Sequence, residues 1–261
     1  MDYRKIEKIN TENKSVELLN IEAIPRRYHT AEAYADSIYI IAGDDSEGKK
    51  ISKVEILNAK TNKIQFGEDI PTPRGMVSSV IADGKIYVMG GGQKEGYSNK
   101  VEIYDIKTNK WKEGTPMEIG KSTDIVYYND YIYAIGGYNK NGALKDFQRY
   151  NIKKNNWEKL SDLPFPLSAH HSIVYDNKIY VFGDYYELDR CWVYDLNKQE
   201  WKIIFTRIIS PFPEVTMGYL YMPSRHNAVV NIKNKIYVIG GNVTSVNSCL
   251  DYIQEINADE F

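Results

Sequence analysis

Four histidines are the residues of this chain that could most readily bind a metal or carry a proton. They stand at His29, His170, His171 and His226. A histidine metal site usually includes further ligands and an outer carboxylate partner, and none is recognisable here at ligand spacing. No nucleophile–base pair or phosphate-binding loop is recognisable either. We therefore predict no metal, no cofactor and no catalytic residues, and we leave the question of an enzyme open.

Basic residues near the same turns suggest a different chemistry. They are Arg26, Arg27, Arg74, Lys121 and Arg225. The formal net charge is −2, so this basic group is local, and nonspecific binding of nucleic acid is not expected. The only nearby acids along the sequence are Glu32 and Asp124. Since arginine binds a carboxylate through paired hydrogen bonds, the group predicts either a site for an acidic ligand or a set of solvated turn residues.

A motif that occurs five times must position these residues. It reads KIYVMGG at residues 85–91, and its isoleucine recurs as Ile38, Ile86, Ile132, Ile179 and Ile236. A turn lies about twelve residues upstream of each copy, and a segment such as VEIYDIKTNKW follows the first four copies after a variable loop. Four short strands in a unit of about 47 residues, without helical periodicity, predict the blade of a β-propeller.

The apolar Ile-Tyr strand is expected to be buried on both faces, and the two glycines after it suit close backbone approach and positive φ. This pattern resembles the kelch repeat family, which pairs a di-glycine with a downstream Tyr and Trp. The second repeat matches this pattern fully, at Gly90, Gly91, Tyr104 and Trp111. The fourth repeat has Asp184 for the second glycine, and the first has Ala42 for the first glycine.

The resemblance implies an all-β kelch propeller of four-stranded antiparallel blades. Five blades are predicted, with an incomplete six-bladed ring as the alternative. One domain should span 1–261, with repeats at approximately 24–70, 71–117, 118–164, 165–215 and 220–261, and with 1–21 as N-terminal closing strands. We expect residues 15–20 to pair with the C-terminal blade, because its third strand would otherwise present an open edge.

The long loops of such a blade share one face with the connections between blades, and variable loops on a rigid scaffold usually carry binding residues. The residue ten positions before each isoleucine, here called the rim position, is Tyr28, Met76, Ser122, Ala169 or His226. By resemblance, this position points into the pocket of kelch peptide binders. The predicted ligand-binding residues are Arg27, Tyr28, Arg74, Lys121, His170, Tyr185, Arg225 and His226.

Two functions follow from these observations. The first is an interaction module that recognises a partner protein, an acidic peptide or a small acidic ligand. The alternative is a sugar-modifying enzyme that resembles the kelch-type sialic-acid mutarotases and epimerases. Galactose oxidase shares the fold, but its copper site and Cys-Tyr crosslink find no counterpart among these residues. The polar N-terminus and the lack of a long apolar run predict a cytoplasmic protein without membrane association.

The interval between Trp201 and Met222 is longer than its counterparts. Its aromatic residues, Phe205, Phe212, Tyr219 and Tyr221, and its prolines predict a flap that contacts a partner.

Overall fold

The computed structural model describes residues 6–186, 190–205, 207–208, 218–219, 224–242 and 253–257, and every regular element among them is a β-strand. The chain begins with an antiparallel hairpin of β1 (Ile6–Ile9) and β2 (Val16–Leu19). Its inner side packs on the next sheet, because Leu19 and Ile21 are buried together with Leu57. The predicted pairing of residues 15–20 with the C-terminal blade stays a prediction, since residues 250–252 lie outside the described residues.

The next two sheets each hold four antiparallel strands in chain order. The first consists of β3 (Thr30–Tyr34), β4 (Ser37–Ile41), β5 (Val54–Asn58) and β6 (Lys63–Phe66). The second consists of β7 (Ser78–Ala82), β8 (Lys85–Met89), β9 (Val101–Asp105) and β10 (Lys110–Gly114). This order is that of an antiparallel meander, in which each strand pairs with the next along the chain.

The remaining sheets follow the same plan. The third comprises β11 (Ser122–Tyr128), β12 (Tyr131–Asn139), β13 (Gly142–Ala143), β14 (Phe147–Asn151) and β15 (Asn156–Lys159), with the short β13 paired to β12 alone. The fourth comprises β16 (His171–Tyr175), β17 (Lys178–Phe182), β18 (Arg190–Asp195) and β19 (Glu200–Phe205). A two-stranded pair, β20 (Arg207–Ile208) with β21 (Gly218–Tyr219), precedes the fifth sheet of β22 (Ala228–Ile232), β23 (Lys235–Ile239) and β24 (Ile253–Asn257).

The predicted all-β fold with five blade sheets is confirmed, and three strands of the fifth are described. The Ile-Tyr strands form the core, as their sequence predicts. In β8 and β17 every residue after the lysine is buried, from Ile86 to Met89 and from Ile179 to Phe182. Such strands exclude water on both faces, and the neighbouring third strands β5 and β9 are buried to a similar degree.

The chain groups into two compact units. The first comprises residues 1–123 and 151–157, and the second comprises residues 124–150 and 158–261. The prediction of one domain with the stated repeat boundaries stays a prediction. Within the described part of the chain, no helix is long and apolar enough to cross a membrane.

Candidate functional site

The turns before the first and fifth sheets are fixed by main-chain hydrogen bonds. Arg27 exchanges two such bonds with Asp44, at 2.9 and 2.8 Å, and Arg225 does the same with Asn242, at 3.0 and 2.8 Å. In both turns the arginine stands eleven residues before the repeat isoleucine and its partner six residues after it. These two arginines therefore occupy equivalent places in their repeats.

The rim position that follows has an unusual backbone conformation. Tyr28, Met76, Ala169 and His226 all have positive φ, at 58°, 52°, 58° and 53°. The amide of Met76 donates to the carbonyl of Tyr28 at 2.8 Å, and that of His226 donates to the carbonyl of Ala169 at 2.8 Å. In the third repeat, Ser122 instead uses its hydroxyl to bond the carbonyl of Met76 at 2.9 Å. Non-glycine residues at positive φ often mark functional sites.

Arg27 and Tyr28 form an exposed cation–aromatic pair in the first unit. The guanidinium carbon of Arg27 lies 5.4 Å from the centroid of the Tyr28 ring, and Tyr28 is 48% exposed. The neighbouring carboxylate of Asp44 is ion-paired with Lys50 at 2.8 Å. Arg27 has no ion pair among the described residues, so its charge faces solvent.

The second unit carries a larger group of the same kind. The guanidinium carbon of Arg225 lies 4.0 Å from the centroid of Tyr185, and its Nη1 donates to the carbonyl of Tyr185 at 3.2 Å. The Tyr185 ring lies edge-on to His226 at 6.3 Å and to Tyr186 at 5.1 Å. Both tyrosines are exposed, at 45% and 69%. Desolvation of the ring, followed by the charge of Arg225, lowers the pKa of His226.

Two predicted ligand contacts lie in the interior instead. Arg74 and Lys121 are fully buried. The Arg74 guanidinium forms an ion pair with Glu102 and donates to the carbonyls of Gly90 at 2.6 Å and Thr72 at 2.8 Å. In this structure neither side chain reaches the surface, so the predicted basic ring is reduced to Arg27 and Arg225. The physical reason is that a neighbouring strand supplies a carboxylate that draws Arg74 inward.

Glu55 and Glu102 are the acids that the sequence analysis missed. Glu55 accepts a hydrogen bond from Arg26 at 2.6 Å, with both side chains almost fully buried. Burial lowers the pKa of Arg26 and of Arg74, while the paired carboxylates of Glu55 and Glu102 act in the opposite direction. A sequence pattern could have revealed these two acids. The third strand of each of the first two sheets begins with Val-Glu, and this glutamate lies 29 residues after Arg26 and 28 residues after Arg74.

The other candidates are less exposed or fall outside the description. His170 is partly buried, and Glu32 accepts a hydrogen bond from Ser79 at 2.6 Å rather than from an arginine. Burial raises the pKa of Glu32, and the hydrogen bond from Ser79, which acts to lower it, is the smaller effect. Among the described residues, no group of three or more His, Cys, Asp or Glu could hold a metal. The predicted flap lies largely outside the described residues, and no side chain between residues 205 and 221 is described.

Comparison with known proteins gives one family. The family model of the KLHDC2/KLHL20/DRC7 Kelch-repeats domain matches residues 3–183 and 113–241. Kelch-like protein 40 of Xenopus tropicalis is 31% identical over 95 residues, which is 36% of this chain and 16% of that protein. Alpha-scruin of Limulus polyphemus is 28% identical over 102 residues, 37% of this chain and 11% of that protein. A putative F-box/kelch-repeat protein of Arabidopsis thaliana is 26% identical over 106 residues, 40% of this chain and 30% of that protein.

Proposed function

Because this chain belongs to the kelch-repeat family, we propose that it is an interaction module that binds an acidic segment of a partner protein through its exposed rim residues. The observation that carries this proposal is the pairing of an arginine with an exposed tyrosine ring, which occurs once in each compact unit. Arg27 and Arg225 stand on equivalent turns; the first lies over its own neighbour Tyr28, and the second lies over Tyr185, whose ring is edge-on to His226.

The chemistry of these groups suits an acidic peptide. A guanidinium that lies over an aromatic ring is held in one orientation, and its planar fork of N–H groups matches the geometry of a carboxylate. Exposed tyrosines add apolar contact at low cost in side-chain entropy, and tyrosine and arginine are frequent hot spots of protein interfaces. The chain spans less than a third of the relatives it matches, so their own partners give no further guidance.

The proposal is tested by titration calorimetry with a synthetic peptide of alternating glutamate and tyrosine. We expect measurable binding at low salt that weakens as salt rises, because screening reduces the electrostatic share. Arg27→Ala and Arg225→Ala should each weaken binding by about ten- to a hundredfold, which corresponds to a charge-assisted contact of roughly 1.5–3 kcal/mol.

Lys107→Ala is the matched control, because Lys107 is an exposed cation on the short turn between the third and fourth strands of the second sheet. It should leave the affinity unchanged. A peptide of alternating lysine and tyrosine should not bind. Equal affinity of both arginine variants and the parent chain at low salt would reject the acidic-ligand proposal.

A further inference from the structure

Successive sheets pack face to face in the same way along the chain. Ile173 and Cys191 of the fourth sheet lie in one buried cluster with Val229 and Val238 of the fifth. Buried clusters of the same form join the first sheet to the second and the third sheet to the fourth. A sheet of this chain therefore has a front face, which the next sheet covers, and a rear face, which rests on the preceding sheet.

The front face of the fifth sheet is exposed in part. Val230 is the counterpart of Ile173, and Ile253 is the counterpart of Cys191, because each is paired with the corresponding residue of the Ile-Tyr strand. Ile173 and Cys191 are buried, whereas Val230 is 41% and Ile253 is 37% exposed. Tyr237, which lies between them, is buried, so the exposed part of this face consists of its two outer strands, β22 and β24.

The exposed side chains of this face are apolar. Ile232, two residues after Val230 on the same side of β22, is also 41% exposed. The carboxylate of Glu255 on β24 forms an ion pair with Lys235, so burial of the face would not leave that acid unpaired. The fifth sheet thus presents an apolar front face that no sheet of the described residues covers.

The N-terminal hairpin presents the opposite kind of face. Ile9 pairs with Val16 beside the hairpin turn, as Tyr104 pairs with Trp111 beside the equivalent turn of the second sheet. Tyr104 is buried on the rear face of the second sheet, where its ring lies edge-on to Tyr39 of the first sheet at 6.0 Å. Ile9 is 37% and Val16 is 62% exposed. The hairpin therefore has an exposed rear face, while its other side packs on the first sheet.

We propose that this chain self-associates head to tail, with the rear face of the hairpin of one molecule docked on the front face of the fifth sheet of another. A second copy is the occupant that the observations favour, because the contact continues the packing that the chain already repeats between its own sheets. Both surfaces are apolar and exposed, and exposed apolar patches commonly mark interaction sites. The two surfaces differ from each other, so the contact is heterologous and each molecule can bind one neighbour through each surface.

The proposal is tested by sedimentation equilibrium over a range of protein concentrations. We expect the average mass of the parent chain to rise above that of a single molecule as the concentration rises. Val16→Glu and Val230→Glu should each weaken the association by at least about tenfold, because each would bury a carboxylate against an apolar surface. If Val230→Glu fails to fold, Ile253→Glu tests the same face from the other outer strand.

A mixture of the two variants distinguishes a head-to-tail contact from a contact between like surfaces. Val16→Glu keeps its front face on the fifth sheet, and Val230→Glu keeps its rear face on the hairpin. The mixture should therefore form a one-to-one pair and no larger species. Weakening by only one of the two substitutions would indicate that like surfaces meet and would overturn the proposal.

Phe66→Glu is the matched control, because Phe66 on the edge strand β6 is 61% exposed and belongs to neither surface. It should leave the association unchanged, and equal weakening by this control would overturn the proposal. A parent chain that stays monomeric at every concentration would also overturn it and would favour coverage of these surfaces by another segment of the chain. Arg27→Ala and Arg225→Ala should leave the association unchanged, so failure at the rim and failure at this contact are separable.

Discussion

The contact between the first and second sheets, called the first seam, and the contact between the third and fourth sheets, called the third seam, share the same backbone hydrogen bond. Their side chains differ, since those of the first are charged and those of the third are apolar. The amide of Gly43 donates to the carbonyl of Arg74 at 3.0 Å, and the amide of Gly137 donates to the carbonyl of Leu167 at 2.8 Å. Around this shared bond, the first seam carries the buried Arg74–Glu102 ion pair, whereas the third is apolar, and the indole nitrogens of Trp192 and Trp201 have no hydrogen-bond partner among the described residues. The same backbone bond thus joins successive sheets whether the side chains beside it form a buried ion pair, as Arg74 does with Glu102, or an apolar contact, as Leu167 does.

The largest loss of stability is expected when the buried arginine of the first seam is replaced by leucine, the residue found at that position in the third seam. Arg74→Leu leaves the Glu102 carboxylate buried without its partner, so the free energy of unfolding should fall by about 3–5 kcal/mol. Urea denaturation measures this change. Arg27→Leu, at the exposed arginine in the turn before the first sheet, should change stability by less than about 0.5 kcal/mol. Similar losses in the two variants would show that the buried pair does not distinguish the seams.

An intermediate effect is expected at the first glycine of the motif, where the two seams differ. Gly136 has φ of 47°, and a Cβ added there would lie 2.6 Å from the carbonyl oxygen of Leu167. Gly136→Ala should therefore destabilise the chain by about 2 kcal/mol or more.

Ala42 already holds the same position in the first repeat, with φ of 63°. Ala42→Gly relieves that strain but increases the entropy of the unfolded chain, so the net change should lie within about 1 kcal/mol. Thermal unfolding of Gly136→Ala and Ala42→Gly measures both changes in stability. A loss from Ala42→Gly as large as that from Gly136→Ala would contradict the interpretation.

The smallest change in stability is expected from exchanging Asn109, whose side chain accepts a hydrogen bond from the amide of Glu68 at the first seam, and its counterpart Gln199 at the third seam. Asn109→Gln removes a short side chain that suits positive φ and bonds Glu68, so it should cost about 1 kcal/mol. Gln199→Asn places that side chain at the third seam and should stabilise by up to about 1 kcal/mol. Hydrogen exchange of the Trp201 indole N–H should slow in Gln199→Asn if the indole then donates to a backbone carbonyl, as those of Trp111 and Trp157 do. An unchanged Trp201 signal together with unchanged stability would indicate that the tryptophan alone determines the seam.

The rim was predictable only in part. Sequence alignment placed Arg27, Tyr28, Arg225 and His226 on equivalent turns, and the structure gives these turns the same hydrogen bonds. The inward position of Arg74 was not predicted, because Glu102 lies 28 residues away in the sequence and becomes its neighbour only through the sheet. Whether the two exposed arginine groups contact one ligand stays a prediction.

The sequence by itself determined the strands and their repetition. The fivefold Ile-Tyr motif specifies buried strands, and its glycines specify the tight approach between repeats, since both depend on residue type and spacing along the chain. The tertiary structure alone decided which charged side chains are satisfied inside and which remain exposed. That outcome depends on distances between residues remote in sequence, such as Arg74 and Glu102, which the sheet brings together.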